Sequence, residues 1–78
     1  MSFKNYIIIY NGEVFNSPEL RNNLKKKGYN FISKNSDTEV LLKLYDYKGY
    51  DMLDDLNGMF AFVIYDLKKN IFFKFVKF

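Results

Sequence analysis

The chain contains no cysteine, no histidine and no tryptophan in 78 residues. Without cysteine there is no disulfide framework, no thiol chemistry and no thiolate metal site. Without histidine there is no imidazole ligand and no triad that uses one as its base. The four glycines are scattered singly, so nothing resembles a phosphate-cradling glycine loop. Long apolar runs are absent too. Lys4 precedes the apolar run Tyr6 to Tyr10, which is too short for a signal-peptide core or a membrane span. A cytoplasmic location with no membrane partner is therefore expected. The net charge of +3 is a mild basic excess. The lysines are scattered and the aromatics fall at core spacing, so no nucleic-acid partner is expected.

What is present is apolar and aromatic. Hydrophobic residues make up 49% and aromatics 21%, as seven Tyr and nine Phe, which argues against disorder. The length allows one domain at most, with a modest core.

The run Tyr6-Ile7-Ile8-Ile9-Tyr10 reads as a central strand, apolar on both faces. It meets Asn11-Gly12, a pair that tolerates positive φ. That pair reads either as a hairpin turn returning through Glu13, Val14 and Phe15, or as a polar site at a strand mouth. Met1 to Asn5 is a short polar lead-in, and so abrupt a start suggests further material upstream. Ser17-Pro18-Glu19 predicts a helix over Pro18 to Lys27, with Ser17 as cap, Leu20 and Leu24 on one face and Gly28 as its stop. Lys25-Lys26-Lys27 reads as a solvated helix end, or alternatively as a phosphate patch.

Tyr29 to Ser33 is expected to form a short strand with Phe31 inward. Ser36 and Glu39 have capping-box spacing ahead of a helix over Thr38 to Lys48, whose apolar side is Val40, Leu41, Leu44 and Tyr45. Met52, Leu53 and Leu56 predict a shorter helix ending at Asn57-Gly58. Met59 to Tyr65 alternates as a strand and is joined through Asp66 to Asn70 to a partner over Ile71 to Phe75. The fold class is thus α/β (α+β): an antiparallel sheet with two main helices on one face. The last residues stay apolar to Phe78, and the chain looks cut at both ends.

With cysteine and histidine absent, chemistry is left to Asn11, Glu13, Asp37, Glu39 and the Gly12 N–H. A side-chain amide beside a free backbone N–H is what a developing oxyanion needs. Asp37 at a helix start is either a cap or, if it faces the strand end, an acceptor for a substrate ammonium. Asp46, Asp51, Asp54, Asp55 and Asp66 read as ordinary surface or loop acids.

Four motifs stand in order: Tyr10-Asn11-Gly12-Glu13-Val14-Phe15-Asn16; Pro18-Glu19-Leu20-Arg21 with Leu24 and Gly28-Tyr29; Ser36-Asp37-Thr38-Glu39-Val40; and Leu56-Asn57-Gly58-Met59-Phe60-Ala61-Phe62. Together they resemble the glutaminase domain of glutamine-hydrolysing asparagine synthetase, over about Tyr6 to Phe73. The resemblance implies part of an N-terminal-nucleophile hydrolase, a sandwich of sheets between helical layers. Such a domain releases ammonia from glutamine through a thioester on an N-terminal Cys whose α-amine is the base. It further implies Asn11 and Gly12 as the oxyanion hole, Glu13 lining the glutamine site and Asp37 holding the α-ammonium.

The departures are as informative. The nucleophilic Cys and the carboxylate-gripping Arg of the family lie upstream of anything present. Ser2 sits too close to the Asn11 strand to replace the nucleophile. Where the family continues with an Arg-Asp pair, this chain reads Phe73-Lys74-Phe75. The expectation is a partial domain over residues 1–78, inactive alone, with glutamine as the substrate of the complete domain. No cofactor and no metal are expected in this chain; ATP and magnesium are implied only for the synthetase domain. Self-association through the exposed C-terminal strand is expected. The alternative function is a non-catalytic binding module that keeps the half-domain fold.

Overall fold

Period-two patterning governs the longest stretches of the chain, and they pair into one sheet. The computed structural model describes all residues, Met1–Phe78. Four strands, β1 (Ser2–Phe3), β2 (Tyr6–Val14), β3 (Gly58–Asp66) and β4 (Ile71–Lys77), lie in the order β1-β2-β3-β4, every pair antiparallel. In β3 the even residues Phe60, Phe62 and Ile64 are buried while Met59 is exposed, as the alternation predicts. Phe73 and Phe75 of β4 stand opposite Ile64 and Phe62 and pack against the core.

Two helices, α1 (Ser17–Lys26) and α2 (Asp37–Lys48), lie on the inner side, so the α+β reading holds. Ser36 caps α2, its Oγ accepting from the Glu39 N–H at 3.4 Å, and Gly49 ends it at φ +62°. α2 is the central element: it packs on β1 and β2 and carries α1 on its flank. Seven consecutive residues, Glu39 to Tyr45, are therefore buried, where the patterning had suggested a single apolar face. The core joins them to Ile8, Val14, Leu20, Leu24, Met52, Leu56, Phe60, Phe62 and Ile64.

Several expectations are corrected. Tyr29 to Ser33 forms no strand. It is irregular, held because Tyr29 and Phe31 pack against the core and because its polar groups find side-chain partners instead of a ladder. Asn11-Gly12 is not a turn. Gly12 has the expected positive φ, +124°, but uses it inside β2, where a continuous register with β3 carries the strand on to Val14. The lead-in Met1 to Asn5 forms β1 and a tight turn into β2, with Lys4 at φ +53°. Helix α1 starts at Ser17, with Asn16 at the cap position and no side-chain cap bond. Asn16 instead ties α1 to the approach to β3: its Nδ2 donates to the Asp55 carbonyl at 2.6 Å and its Oδ1 accepts from the Asn57 N–H at 3.0 Å. The shorter helix is a 3₁₀ segment, Gly49–Asp55, with Met52 fully buried.

Asp46 and Asp66 are not ordinary surface acids. Asp46 accepts from Lys4 Nζ, Tyr6 OH and Tyr29 OH at 3.2, 3.0 and 2.8 Å, so one carboxylate ties three segments to α2. Burial alone would raise its pKa, but these donors outweigh it and lower it. Asp66 is buried and accepts from Asn5 Nδ2 at 2.8 Å, Tyr45 OH at 3.3 Å and the Lys69 N–H at 3.1 Å, which shapes the turn into β4. The tyrosines respond in the opposite sense. Desolvation first, then the neighbouring carboxylates, push Tyr6, Tyr29 and Tyr45 up to about 12.

The other face of the sheet has no layer over it. Ile7, Ile9, Met59, Phe72 and Val76 are exposed there, Ile9 at 76% and Phe72 at 73%.

Candidate functional site

The strand β2 brings its polar end to the N-terminus of α2. Backbone pairing explains the arrangement. Leu67 N–H donates to Asn5 O and Phe15 N–H to Asn57 O, which makes the odd positions of β2 its hydrogen-bonded partners with β3. The even positions direct their N–H and C=O groups to the opposite edge, where Ile8 N–H meets Met1 O at 3.0 Å. Beyond Ile8 that edge is open, because β1 extends only over Ser2–Phe3. The Gly12 N–H therefore points out of the ladder with no partner. A Cβ at Gly12 would overlap the Met59 carbonyl oxygen and the Phe60 Cα, so glycine alone allows β3 this close.

Val14, next on the open edge, is met by Asp37. The Asp37 Oδ2 accepts from the Val14 N–H at 3.1 Å and from the Tyr10 hydroxyl at 2.8 Å. The cap belongs to Ser36, which leaves the Asp37 carboxylate directed at β2. Burial, then the hydrogen bond and charge of Asp37, push the Tyr10 hydroxyl well above its ordinary range, so it remains a donor at neutral pH. A cleft of about 500 Å³ opens beside this contact, with Glu13, Asp37, Arg21 and Lys34 on its walls. Residues of both charge signs thus line it.

The four residues expected at a site are placed as follows. Asn11, Gly12 and Glu13 are consecutive and exposed on the last part of β2. Glu13 and Asp37 share the cleft, whereas Asn11 and Gly12 lie outside its walls, farther back along the strand. Asn11 falls on the layer-free face, opposite Ala61. Ser2 pairs with Ile7, five positions along β2 from Gly12, or roughly 17 Å away. It cannot serve as a nucleophile beside the Gly12 N–H.

Glu39 is not part of this cleft. It is buried and accepts from the Ile32 and Ser33 N–H groups at 2.8 Å, from Ser33 Oγ at 2.6 Å and from Lys43 Nζ at 2.5 Å. Burial opposes its charge, but these donors win and hold it at about 2. Lys43 also donates to the Asn30 carbonyl and lies 4.7 Å from the Phe31 ring centroid. Of the capping box only the Ser36 half forms, because the Glu39 carboxylate is committed to the loop before α2.

Two contributors escaped the sequence reading. Arg21 entered the sequence reading as the last residue of Pro18-Glu19-Leu20-Arg21. It is buried, donates to the Ser33 and Ser36 carbonyls at 2.5 and 3.0 Å, and lies 4.6 Å from the Phe31 centroid. It thereby holds the entry to α2, and with it Asp37. Tyr10 was read as part of an apolar run; the period of two from Ile8 to Val14 would have placed it on the Asp37 side. Chemically, the region offers an unpaired backbone N–H on the open edge of β2, a carboxylate held beside it and a cleft lined by residues of both charge signs, with no thiol or imidazole in the chain.

The chain is similar to known proteins over most of its length. A family model described as "Glutamine amidotransferase domain" matches residues 1–74. The chain is 48% identical over 68 residues to asparagine synthetase [glutamine-hydrolyzing] 3 of Bacillus subtilis (strain 168), covering 87% of this chain and 11% of that protein. It is 46% identical over 68 residues to putative asparagine synthetase [glutamine-hydrolyzing] 2 of Methanocaldococcus jannaschii, covering 86% of this chain and 12% of the relative. It is 44% identical over 69 residues to asparagine synthetase B [glutamine-hydrolyzing] of Escherichia coli (strain K12), covering 88% and 12%. The chain thus spans about a ninth of the length of the curated relatives it matches.

Proposed function

This chain belongs to the glutamine amidotransferase domain family, and from that premise we propose that it is the substrate-positioning part of a glutaminase. In this reading it serves the ammonia-producing half of an asparagine synthetase and is inactive by itself. The observation that carries the proposal is that Asp37, at the start of α2, accepts from the Val14 N–H on the open edge of β2, two residues along from the unpaired Gly12 N–H. Glutamine would place its α-ammonium at Asp37 and lie against Glu13. Its carboxamide oxygen would face the Asn11 amide and the Gly12 N–H as negative charge develops there.

The bond-forming atom must come from outside this chain, since it contains neither Cys nor His and Ser2 is held far from the donors. An oxyanion donor typically contributes about 3 to 4 kcal/mol. The least that separates enzymes from uncatalysed reactions is about 8 kcal/mol. Donors alone do not make a glutaminase. No helix is long and apolar enough to cross a membrane, and a cytoplasmic location is part of the proposal.

The test is ammonia release from glutamine by the purified chain, beside an Asn11→Ala, Asp37→Ala double variant. The expected result is no turnover above buffer for either. Turnover by the native chain that the double variant loses would overturn the claim of inactivity. Recovery of activity on adding a separate polypeptide that supplies a Cys-led segment would support the glutaminase reading over that of a binding module.

A further inference from the structure

The Asp37 carboxylate is divided in its duties. Oδ2 takes both available donors, the Tyr10 hydroxyl and the Val14 N–H, while Oδ1 has no hydrogen-bond partner and is not buried. An aspartate on a helix's first turn has free χ1 and χ2 rotation unless something fixes it. Here the backbone N–H fixes one direction and the phenol a second, and the two together define the carboxylate plane. The phenol is itself immobile. Tyr10 lies between Ile8 and Gly12 on β2, its ring packs against the core, and its strand is held by β3 along the whole length.

We propose that Tyr10 is a positioning residue, which turns the Asp37 carboxylate so that Oδ1 is the oxygen presented to a substrate α-ammonium. The inference rests on reading the cleft as a glutamine site, and it adds a residue and a division of labour to that reading. Tyr10 touches no substrate; it acts through Asp37. The hydroxyl occupies Oδ2, so the second oxygen keeps its lone pairs free toward the cleft. Ligands that carry the ammonium are favoured over otherwise identical ligands that lack it. Without the hydroxyl, Asp37 keeps the Val14 N–H but is free to rotate about that single bond, and an ammonium must then order the side chain as it binds.

The experiment is an amide-proton NMR titration of the full chain with two probes: L-glutamine, and 4-carbamoylbutanoate, which has the same carboxylate and carboxamide but no α-ammonium. Native chain, Tyr10→Phe and Asp37→Asn are compared, with thermal unfolding of each. Tyr10→Phe keeps the ring, so the core packing is retained. The expected result is glutamine binding weakened roughly threefold to tenfold in Tyr10→Phe, from one lost charge-assisted hydrogen bond and one newly mobile side chain. Binding of 4-carbamoylbutanoate should stay within about twofold of native. Equal weakening of both probes would show that the hydroxyl only supports the fold, and would overturn the proposal. So would unchanged glutamine binding in Tyr10→Phe when Asp37→Asn weakens it. If the native chain binds glutamine no better than 4-carbamoylbutanoate, the ammonium role of Asp37 fails first, and the role of Tyr10 falls with it.

Discussion

Replacing Gly12 by alanine probes the closest approach in the sheet. Two costs arise at this position. The backbone sits at φ +124°, a region essentially closed to residues with a Cβ, and strain of that kind costs about 1 to 3 kcal/mol. The added methyl would also overlap the Met59 carbonyl oxygen and the Phe60 Cα. Those are backbone atoms, which cannot swing aside as a side chain can, and overpacking of this sort costs about 1 to 3 kcal/mol. Gly28 supplies the control. Its φ is also positive, +99°, but a Cβ there would meet nothing within 4 Å. Gly28→Ala therefore bears the backbone strain alone, and both variants share the same loss of unfolded-state freedom. Urea unfolding of the three proteins should rank them native, Gly28→Ala, Gly12→Ala, the last two separated by about 1 to 3 kcal/mol. A domain of this size has roughly 4 to 12 kcal/mol to lose, so Gly12→Ala approaches the lower limit of foldability. Equal losses in the two variants would refute the steric argument and with it the claim that β3 presses on Gly12.

Two further outcomes follow from the packing. Glu39 is held near 2 in the folded chain against an ordinary carboxylate value near 4.5. Its contribution, on the order of 3 kcal/mol, is fully present above about pH 4.5 and is lost as the pH falls toward 2. A series of unfolding midpoints from pH 6 to pH 2 should fall through that window, and in Glu39→Gln should start lower and fall less; parallel curves would contradict it. The layer-free face, with Ile9 and Phe72 both largely exposed, together with the unpaired outer edge of β4, predicts self-association at micromolar concentration in sedimentation. An Ile9→Lys, Phe72→Lys variant should shift the chain toward monomer, and a clean monomer for the native chain would count against the expectation.

How much could be read in advance depended on the length over which a pattern was sustained. Met59 to Tyr65 repeats its alternation for seven residues, and the strand is found there with one more residue at each end. The Ser36 cap signal and the helical pattern over Thr38 to Lys48 placed α2 to within a residue. Tyr29 to Ser33 offered one inward aromatic and no repeat, too little to distinguish a strand from a loop pinned by Glu39 and Lys43. Asn11-Gly12 misled for a different reason: the positive φ that makes a turn is the same positive φ that admits a close neighbour within a sheet. The positions of Asn11, Gly12 and Glu13 along β2 and of Asp37 at the start of α2 could be read from the motifs. The contacts of Tyr10 and Arg21 could not, because each acts through an atom that only tertiary contact brings within reach. Asp46 and Asp66 were misread on the same account.

The β2–β3 pairing has a consequence for the order in which the molecule assembles. The strands β3 and β4 are joined by a short turn and close locally, and each helix forms from neighbouring residues. The register between Val14 and Gly58, however, encloses residues 15–57, including both helices. Closing that loop costs entropy before any contact across it is rewarded. Asn11, Gly12 and Glu13 lie on the β2 side of this seam and reach their stations only when it zips. A chain caught with the hairpin and helices formed but the seam open has most of its secondary structure while the end of β2 is still apart from β3. Local opening of the same seam in the finished fold would separate Gly12 from its neighbours while β3 and β4 stayed paired, so the placing of these residues follows the long-range step of folding and not the helix content.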